Sequence, residues 1–364
     1  MPLVIDGHQD LAYNMLTFGR DYTRSVQETR RLEAGTNIPA LNGDCTVGWP
    51  EYQRGQVAAV FATLFAAPAK RQEAYDKIAY ADAETAHRLY RDQIMVYRRL
   101  ADSNPDKFRL VSSIKELDTV IEHWSQPVPN GEGHPVGLIY LMEGADGIRS
   151  PHELSEWYDM GLRLIGLAWA GTRYCGGTGE PGPLTPEGRE LIAAMADFNF
   201  VLDLSHMDEA AALESLDRYE GPVMATHSNC AVLMKGAETN RHLPDSVIEG
   251  LIERDGVIGL LPLNSFLKVG WNRKTGSRRE EVPLDTLIAH IDHVCQIAGD
   301  SKHAGIGSDF DGGFGVQSIP PELDSIADLP VIGSGLAARG YNEIDIENIL
   351  GGNWLRFLRR NLPA

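Results

Sequence analysis

The sequence V-I-D-G-H-Q-D at residues 4–10 sets a pattern that recurs along the rest of the chain. A short apolar run ends in Asp6 and Gly7, and His8 and Asp10 follow it. Alternate residues of an extended segment point the same way, so the His8 imidazole and the Asp10 carboxylate can share one side of a strand end. Both groups are ligands of a borderline divalent cation such as Zn²⁺. Because H-x-D alone is a weak motif, the later strands decide its meaning.

Seven further apolar runs follow, separated by enough chain for a helical crossover between neighbours. With the first run they predict eight strands, at 3–6, 57–64, 136–142, 163–168, 200–204, 222–226, 257–261 and 304–308. The runs are almost wholly apolar, as in parallel strands that are buried on both faces. Eight such strands alternating with helices indicate an α/β protein with a (β/α)8 TIM barrel. A doubly wound open sheet is the alternative, although no G-x-G-x-x-G follows the first strand.

The segments between these strands carry helical spacing, caps and turn residues. We expect residues 1–364 to form one barrel domain with a C-terminal helical tail. Stretches rich in polar residues, Gly and Pro predict a long loop with one short helix at 20–54 and loops at 125–135 and 268–281. The remaining predictions are a short strand at 108–111, helices at 72–102, 114–124, 208–217 and 284–298, a helix capped by Thr185 and begun by Pro186, and an amphipathic tail at 335–360.

Charge and cysteine content restrict the partners and the compartment. The 364 residues include 33 Lys or Arg and 51 Asp or Glu, for a formal net charge of −18. Nucleic acid and anionic membrane surfaces would be repelled, so neither is expected as a partner. The four cysteines are scattered without a C-x-x-C pair, which favours free thiols. No signal-peptide pattern begins the chain and no run approaches about 18 apolar residues, so we expect a cytoplasmic protein.

Side chains able to bind a metal recur at the carboxyl ends of five predicted strands. Active sites of barrels are built at this end of the strands. Each residue alone could cap a helix or enter a core ion pair, but six at one face favour a metal site. They are His8 and Asp10 after strand one, Glu143 after strand three, His206 after strand five, His227 after strand six and Asp309 after strand eight.

Three histidines and three carboxylates exceed what one tetrahedral Zn²⁺ needs. Two metals are the natural count if one carboxylate bridges them, and ions about 3.5–4 Å apart can share a hydroxide. That hydroxide is a nucleophile at neutral pH because water bound to the metal has a pKa of about 7. A carboxylate left without a metal is free to move protons. The predicted chemistry is metal-assisted hydrolysis of an acyl or phosphoryl centre.

Six motifs occur in order over nearly the whole chain: D-G-H-Q-D-L at 6–11, M-E-G at 142–144, L-D-L-S-H at 202–206, T-H-S-N at 226–229, R-H-L-P-D at 241–245 and G-I-G-S-D-F-D-G at 305–312. As a set they resemble the membrane (renal) dipeptidase family, peptidase family M19, a branch of the amidohydrolase superfamily. The resemblance implies a (β/α)8 barrel in which two Zn²⁺ serve to cleave dipeptides. Members of this family commonly accept a D-residue at the C-terminal position, and some act on β-lactams.

The resemblance also implies a role for each metal ligand. His8 and Asp10 would bind one zinc, and His206 and His227 would bind the other. Glu143 would bridge the two ions together with a hydroxide or water.

Two further residues receive roles by the same resemblance. Asp309 would be the general base, taking a proton from the bridging water and returning it to the leaving amine. Arg241 would pair with the substrate carboxylate, for which a bidentate guanidinium is well suited. Without the resemblance, Arg241 would be interpreted as an ordinary surface arginine.

The chain departs from the family pattern after strand four. The family commonly has a histidine there, thought to contact the substrate carbonyl oxygen, whereas L-A-W-A-G at 167–171 places Trp169 at this position. An indole N–H donates one hydrogen bond but cannot become a cation. Either Trp169 shapes a different pocket, or another donor such as Arg173 or Tyr174 contacts the substrate.

Three hypotheses follow for the function. The first is a zinc dipeptidase whose partner is a small dipeptide, with a homodimer possible because the family tends to dimerise. The alternative, prompted by Trp169, is a related amidohydrolase acting on N-acyl amino acids, lactams or lactones. The third is an inactive metal-binding homologue that serves as an interaction module.

Overall fold

Eight parallel strands form a nearly closed barrel in the computed structural model, which describes residues 2–127 and 133–364. The strands are β1 Val4–Gln9, β2 Val57–Phe65, β3 Val136–Glu143, β4 Leu164–Gly166, β5 Val201–Asp203, β6 Val223–Met224, β7 Ile258–Leu260 and β8 Ala304–Ile306. They pair in the order β6-β5-β4-β3-β2-β1-β8-β7. A parallel bridge between Ala225 and Ile258 joins β6 to β7. The predicted barrel is therefore confirmed.

All eight predicted strands occur, and the largest difference is that β1 continues to Gln9. The short predicted strand is also present, as Phe108–Leu110, and pairs with the first residues of β3. The last residues of β3 pair with β4 instead. The short strand thus pairs with the start of β3, which β4 does not reach. Two small sheets lie outside the barrel: Ala67–Pro68 with Ala79–Tyr80, and Cys175–Gly177 with Glu180–Leu184.

Glycines allow the strands near the site to approach closely. A Cβ at Gly259 would lie 1.9 Å from the Thr226 carbonyl oxygen, and one at Gly307 would lie 1.8 Å from the same atom. Only a residue without a side chain fits at either position. The segments that follow β6, β7 and β8 therefore converge at His227 and Asp309.

Helices flank the barrel and connect its strands. The predicted helices at 114–124 and 284–298 have the expected bounds, and the predicted 72–102 helix begins only at Ala83 because the Asp82 side chain caps it by accepting from Thr85 N. The α-helices are Leu11–Phe18, Val26–Glu33, Ile38–Leu41, Trp49–Arg54, Ala83–Ser103, Ile114–Trp124, Leu154–Asp159, Pro186–Asp197, Glu209–Arg218, Asp245–Glu253, Leu284–Ala298, Val331–Ala338, Glu343–Glu347 and Asn353–Asn361.

One segment differs from expectation. Residues 20–54, predicted as a loop with one helix, contain three short helices. The tail predicted to be helical at 335–360 is built of consecutive helical segments: Gly340, with a φ of 93°, separates Val331–Ala338 from Glu343–Glu347, and a π-helical turn at Asn348–Gly352 leads into Asn353–Asn361. The predicted loop at 125–135 lies partly outside the described residues.

All four cysteines are buried and free, as predicted. Within the described ranges, no helix combines the length and the apolar character needed to cross a lipid bilayer.

Candidate active site

Three imidazoles converge on one carboxylate oxygen at the carboxyl end of the barrel. Glu143 is the last residue of β3, and its Oε1 lies 3.8 Å from His8 Nε2, 3.2 Å from His206 Nε2 and 3.4 Å from His227 Nε2. The Nε2 atoms of His206 and His227 are 2.9 Å apart. His8 belongs to β1, while His206 and His227 follow β5 and β6. Parallel strands end at one rim, so residues remote in sequence meet there.

Two more carboxylates lie within 4 Å of the same His8 nitrogen. The Nε2 atom of His8 is 3.7 Å from Asp10 Oδ2 and 3.9 Å from Asp309 Oδ1. His8 thereby belongs to two overlapping sets of ligand atoms, one with Glu143 and His227 and the other with Asp10 and Asp309. The structure thus brings together all six side chains predicted at the strand ends.

This donor set fits a divalent cation. Both ring nitrogens of His8 and the Oδ1 atom of Asp10 are buried and have no hydrogen-bond partner among the described residues. Buried polar atoms without a partner are rare, because leaving them unsatisfied costs free energy. Imidazole nitrogens and carboxylate oxygens facing a common point are ligands that Zn²⁺ accepts.

Hydrogen bonds behind the imidazoles fix their orientation. Thr226 Oγ1 donates to Asp203 Oδ2 at 2.6 Å and lies 2.9 Å from His227 Nδ1. Since the threonine proton is used on Asp203, Oγ1 accepts from Nδ1–H and leaves the Nε2 lone pair directed toward Glu143. His206 has a similar neighbour, with its Nδ1 3.0 Å from Thr178 Oγ1. Sequence reasoning missed these threonines, although Thr226 adjoins His227 in the T-H-S-N motif.

Burial and neighbouring charges shift the pKa values of these groups. The pKa of Asp309 is raised to about 8, mainly by burial and also by Asp10, against the lowering effects of His8 and Arg241. Burial also raises the pKa of Glu143 well above its usual range. Although burial alone would lower it, Glu143 and Asp10 raise the pKa of His8 to about 10. Protons therefore occupy positions that a bound cation would compete for.

Arg241 is buried, with 2% of its surface exposed, so the interpretation as a surface arginine is wrong. Its Nη1 donates to Ser228 Oγ at 2.9 Å, and its Nη2 donates to the His227 carbonyl at 2.6 Å. The guanidinium lies over the Phe266 ring, 5.4 Å from its centroid. Burial lowers the pKa of Arg241 to about 10, against the raising effect of Asp309 and Glu143. A cation held this rigidly beside the carboxylates suits an anionic substrate group.

A cavity of about 400 Å³ opens over these residues. Trp169 lines it, and its ring lies 5.1 Å from Phe65 and 6.3 Å from His206 between centroids. Tyr174 is not among the lining residues, because its hydroxyl donates to the Ile148 carbonyl and accepts from Arg173 Nη2. Of the two options for the missing histidine, the structure favours a pocket shaped by Trp169. The predicted ligands that line it with Trp169 are Asp10, Glu143, His206, His227 and Asp309, joined by Arg241.

A second carboxylate of the D-F-D-G motif holds the turn that carries Asp309. Asp309 and Asp311 have left-handed φ values of 54° and 66°, which non-glycine residues rarely adopt. The Asp311 carboxylate lies 3.0 Å from Arg20 Nη1 and accepts from Thr46 N at 2.8 Å. Asn14 Nδ2 donates to the carbonyls of Asp311 and Asp10, both at 2.9 Å. The turn is therefore fixed by buried polar contacts that the motif alone did not reveal.

Comparisons with known proteins find a family model, a curated relative and a solved structure that are all described as dipeptidases. The model of the membrane dipeptidase family, peptidase family M19, matches residues 1–362. An uncharacterised dipeptidase of Schizosaccharomyces pombe is 26% identical over 97% of this chain and 79% of its own length. The crystal structure of dipeptidase AC, a metallo peptidase of family M19, is 25% identical with a TM-score of 0.76, covering 100% of this chain and 99% of its own.

A further solved structure shows the same fold. It is a metallo peptidase from Rhodobacter sphaeroides, liganded with a phosphinate mimic of the dipeptide L-Ala-D-Ala. It is 24% identical to this chain with a TM-score of 0.76, and the likeness covers 99% of both chains.

Proposed function

The chain belongs to the membrane dipeptidase family, peptidase family M19, and from this premise we propose that it is a zinc-dependent dipeptidase with two metal ions. The observation that carries the proposal is the convergence of three imidazole Nε2 atoms on Glu143 Oε1, beneath a cavity that also contains Arg241. His8 and Asp10 would hold one Zn²⁺, His206 and His227 would hold the other, and Glu143 would contact both. When bound, the ions supply a nucleophile derived from water and polarise the scissile carbonyl.

Arg241 would bind the C-terminal carboxylate of the dipeptide. Its guanidinium is held by Ser228 and by the His227 carbonyl, so little side-chain freedom is lost when substrate binds. A guanidinium also matches a carboxylate bidentately. This contact would place the peptide bond over the metal ligands and would select substrates with a free C-terminus.

Asp309 would carry the proton between the attacking water and the leaving amine. Its carboxylate lies beside His8, and burial raises its pKa, which favours uptake of a proton. A general base works best when its pKa is near the operating pH. The fixed turn at Asp309–Gly312 would keep this group in reach of the reacting atoms.

Trp169 would bound the pocket beside His206, whereas Arg241 lies beside Phe266 and Ser228. Its indole lies against Phe65, and together they form an apolar wall near His206. Such a wall suits the side chain of the N-terminal residue. Tolerance of a D-residue at the C-terminal position, implied by the family resemblance, is part of the proposal.

The test combines a metal analysis with a stereochemically paired dipeptide panel. We expect two equivalents of zinc per chain and hydrolysis of both L-Ala-L-Ala and L-Ala-D-Ala, the second chosen after the ligand of the Rhodobacter sphaeroides peptidase. Chelation should abolish turnover, and added Zn²⁺ should restore it. Failure of the zinc-loaded protein to cleave any L,L or L,D dipeptide would overturn the proposal.

The alternative is an amidohydrolase acting on N-acyl amino acids, lactams or lactones. Trp169 favours it, because the indole cannot supply the cationic contact that a histidine could give a carbonyl oxygen. Adding N-acetyl amino acids, a lactam and a lactone to the same panel decides the question. Faster turnover of one of these than of every free dipeptide would select the alternative.

A further inference from the structure

A second cavity, of about 460 Å³, adjoins the active-site cavity. The two share Leu263, Gly312 and Gly313 among their lining residues. Gly312 and Gly313 contribute no side chain to the border, and a Cβ added at Gly313 would meet no atom within 4 Å. The border is therefore free of side chains at these two positions, which would let a substrate group extend from the first cavity into the second, which we call the side cavity.

The side cavity contains two cations that lack an anionic partner. Arg273 and Lys274 line it. Across residues 2–127 and 133–364, neither has a carboxylate oxygen within the 4 Å of a salt bridge, whereas Lys268 of the same segment pairs with Glu281 at 2.9 Å. In a chain with a net charge of −18, cations left unpaired in a cavity next to the active site point to an anionic ligand.

The segment that carries these cations has a defined shape. The Trp271 side chain is buried, and its Nε1 donates to the Arg278 carbonyl at 2.9 Å. The Asn272 side chain accepts from Lys274 N at 2.8 Å, and Arg273 Nη2 donates to the Pro39 carbonyl at 2.8 Å. The basic stretch at 268–281, expected to be a solvated loop, is thus fixed against the body of the protein at its centre.

The position of Arg241 indicates which part of a dipeptide would reach the side cavity. If Arg241 binds the C-terminal carboxylate, the C-terminal residue lies on the side of Phe266 and Leu263. Leu263 also borders the side cavity. The side chain of the C-terminal residue is then the substrate group nearest to Arg273 and Lys274.

We propose that the side cavity is a subsite for an acidic side chain, so that dipeptides ending in Glu or Asp are preferred. The inference rests on the proposed dipeptidase function and on the role given there to Arg241. Lys274 is exposed and Arg273 is partly exposed. Ion pairs between exposed groups contribute modestly to binding. Two of them correspond to a preference of about tenfold for an acidic side chain over a neutral one.

The test compares isosteric substrates on the zinc-loaded enzyme. We expect kcat/KM for L-Ala-L-Glu to exceed that for L-Ala-L-Gln by about tenfold, mainly through KM. The same ratio is measured for the D-Glu and D-Gln pair. In R273Q/K274Q the ratio should approach one, because the advantage of the Glu peptide in KM is lost. Lys274→Glu, which removes no side-chain hydrogen bond of the fold, should lower the ratio by itself.

A matched double variant controls for the loss of charge. R31Q/K115Q removes one Arg and one Lys that are exposed and line neither cavity, and it should keep the wild-type ratio. Equal kcat/KM for Glu and Gln peptides in the wild type, or an unchanged ratio in R273Q/K274Q, overturns the subsite. If no peptide is hydrolysed, the proposed function is wrong. In that case, the affinities of the wild type for L-Ala-L-Glu and L-Ala-L-Gln, measured by calorimetry, test the subsite separately. Equal affinities overturn it.

Discussion

Asp309 and Glu143 differ in how many histidines surround them. Glu143 has three imidazole nitrogens within 3.8 Å, whereas among the described residues Asp309, like Asp10, has one, His8 Nε2, at 3.9 Å. A carboxylate surrounded by imidazoles is suited to bridging cations, and one at the edge is suited to moving a proton. The roles that the family resemblance implies for Glu143 and Asp309 agree with this difference in surroundings.

Replacing Asp309 by Asn tests the proton role. The amide keeps the size of the side chain but cannot accept a proton, so kcat should fall by about 10²–10⁴-fold. Zinc content should stay at the wild-type level, because the other five side chains still hold the ions. Activity within a few fold of wild type would show that another group carries the proton.

Replacing Thr226 by Val tests how His227 is oriented. The change removes the acceptor of His227 Nδ1 and the donor to Asp203, while the side-chain shape is kept. Loss of such a partner weakens metal binding by about 10–100-fold. Zinc affinity measured by chelator competition should show this loss, and Thr226→Ser should restore most of it. Unaltered affinity in the valine variant would contradict the assignment.

At the scale of single residues, the sequence predicts the metal ligands but not the residues that orient them. His8, Glu143 and His227 could be assigned because each ends an apolar run. Thr178 approaches His206 through a separate hairpin, 28 residues away in sequence, so no local pattern indicates it. Tyr174 was considered as a donor because of its position in the chain, whereas its hydroxyl is committed to the Ile148 carbonyl.

Among the elements, the turn after β8 depends on the N-terminal segment that was predicted to be mostly loop. Its Asp311 carboxylate meets Arg20, and Arg20 Nε also bonds Glu33 Oε1 at 2.8 Å. Within the same segment, Val26 N donates to Glu51 Oε2 at 3.0 Å and joins two of its short helices. Helices of 4–8 residues are marginal alone and form here through such tertiary contacts, so their sequences do not predict them.

Replacing Asp311 by Asn should destabilise the fold. The change leaves the Arg20 guanidinium buried with one anionic partner fewer, and breaking a buried pair costs about 3–5 kcal/mol. The free energy of unfolding in urea should fall by about 3 kcal/mol. Asp324→Asn is the control, because its pair with Arg30 has a largely exposed carboxylate and should change stability by less than about 1 kcal/mol. Equal effects of the two variants would contradict a structural role for Asp311.

His290, a residue of helix Leu284–Ala298, should make the stability of the fold depend on pH. Its Nδ1 accepts from Cys230 N at 3.0 Å, and burial lowers the pKa of His290 from 6.5 to about 4, with a smaller effect of His293. The unfolded chain therefore takes up the proton first. The stability that neutral His290 contributes is complete above pH 6.5 and is lost as the pH falls toward 4, by about 3 kcal/mol.

His290→Asn should remove this part of the pH dependence, because an amide oxygen can accept from Cys230 N without titrating. Urea unfolding of the metal-free protein at several pH values between 7 and 4 measures it. His123→Asn, at an exposed helix position, should leave the wild-type slope unchanged. A slope that persists in the His290 variant would show that other groups cause the acid sensitivity.

At the scale of the whole molecule, the barrel was predictable because its strands are apolar on both faces. β2 and β3 are buried from end to end, apart from the last residue of β2, and their sequences are almost wholly apolar. Closure of β6 against β7 was not predictable, since it depends on glycines that meet the Thr226 carbonyl. That residues 1–364 form one domain, and that the protein dimerises, stay predictions.

We expect five side chains from four strand ends to hold two Zn²⁺ around Glu143, with Asp309 beside them as the general base. The most direct test is anomalous diffraction at the zinc edge from crystals of zinc-loaded protein. We expect two peaks, one beside His8 and Asp10 and one beside His206 and His227, with Glu143 contacting both. A single peak, or no zinc at these residues, would contradict it.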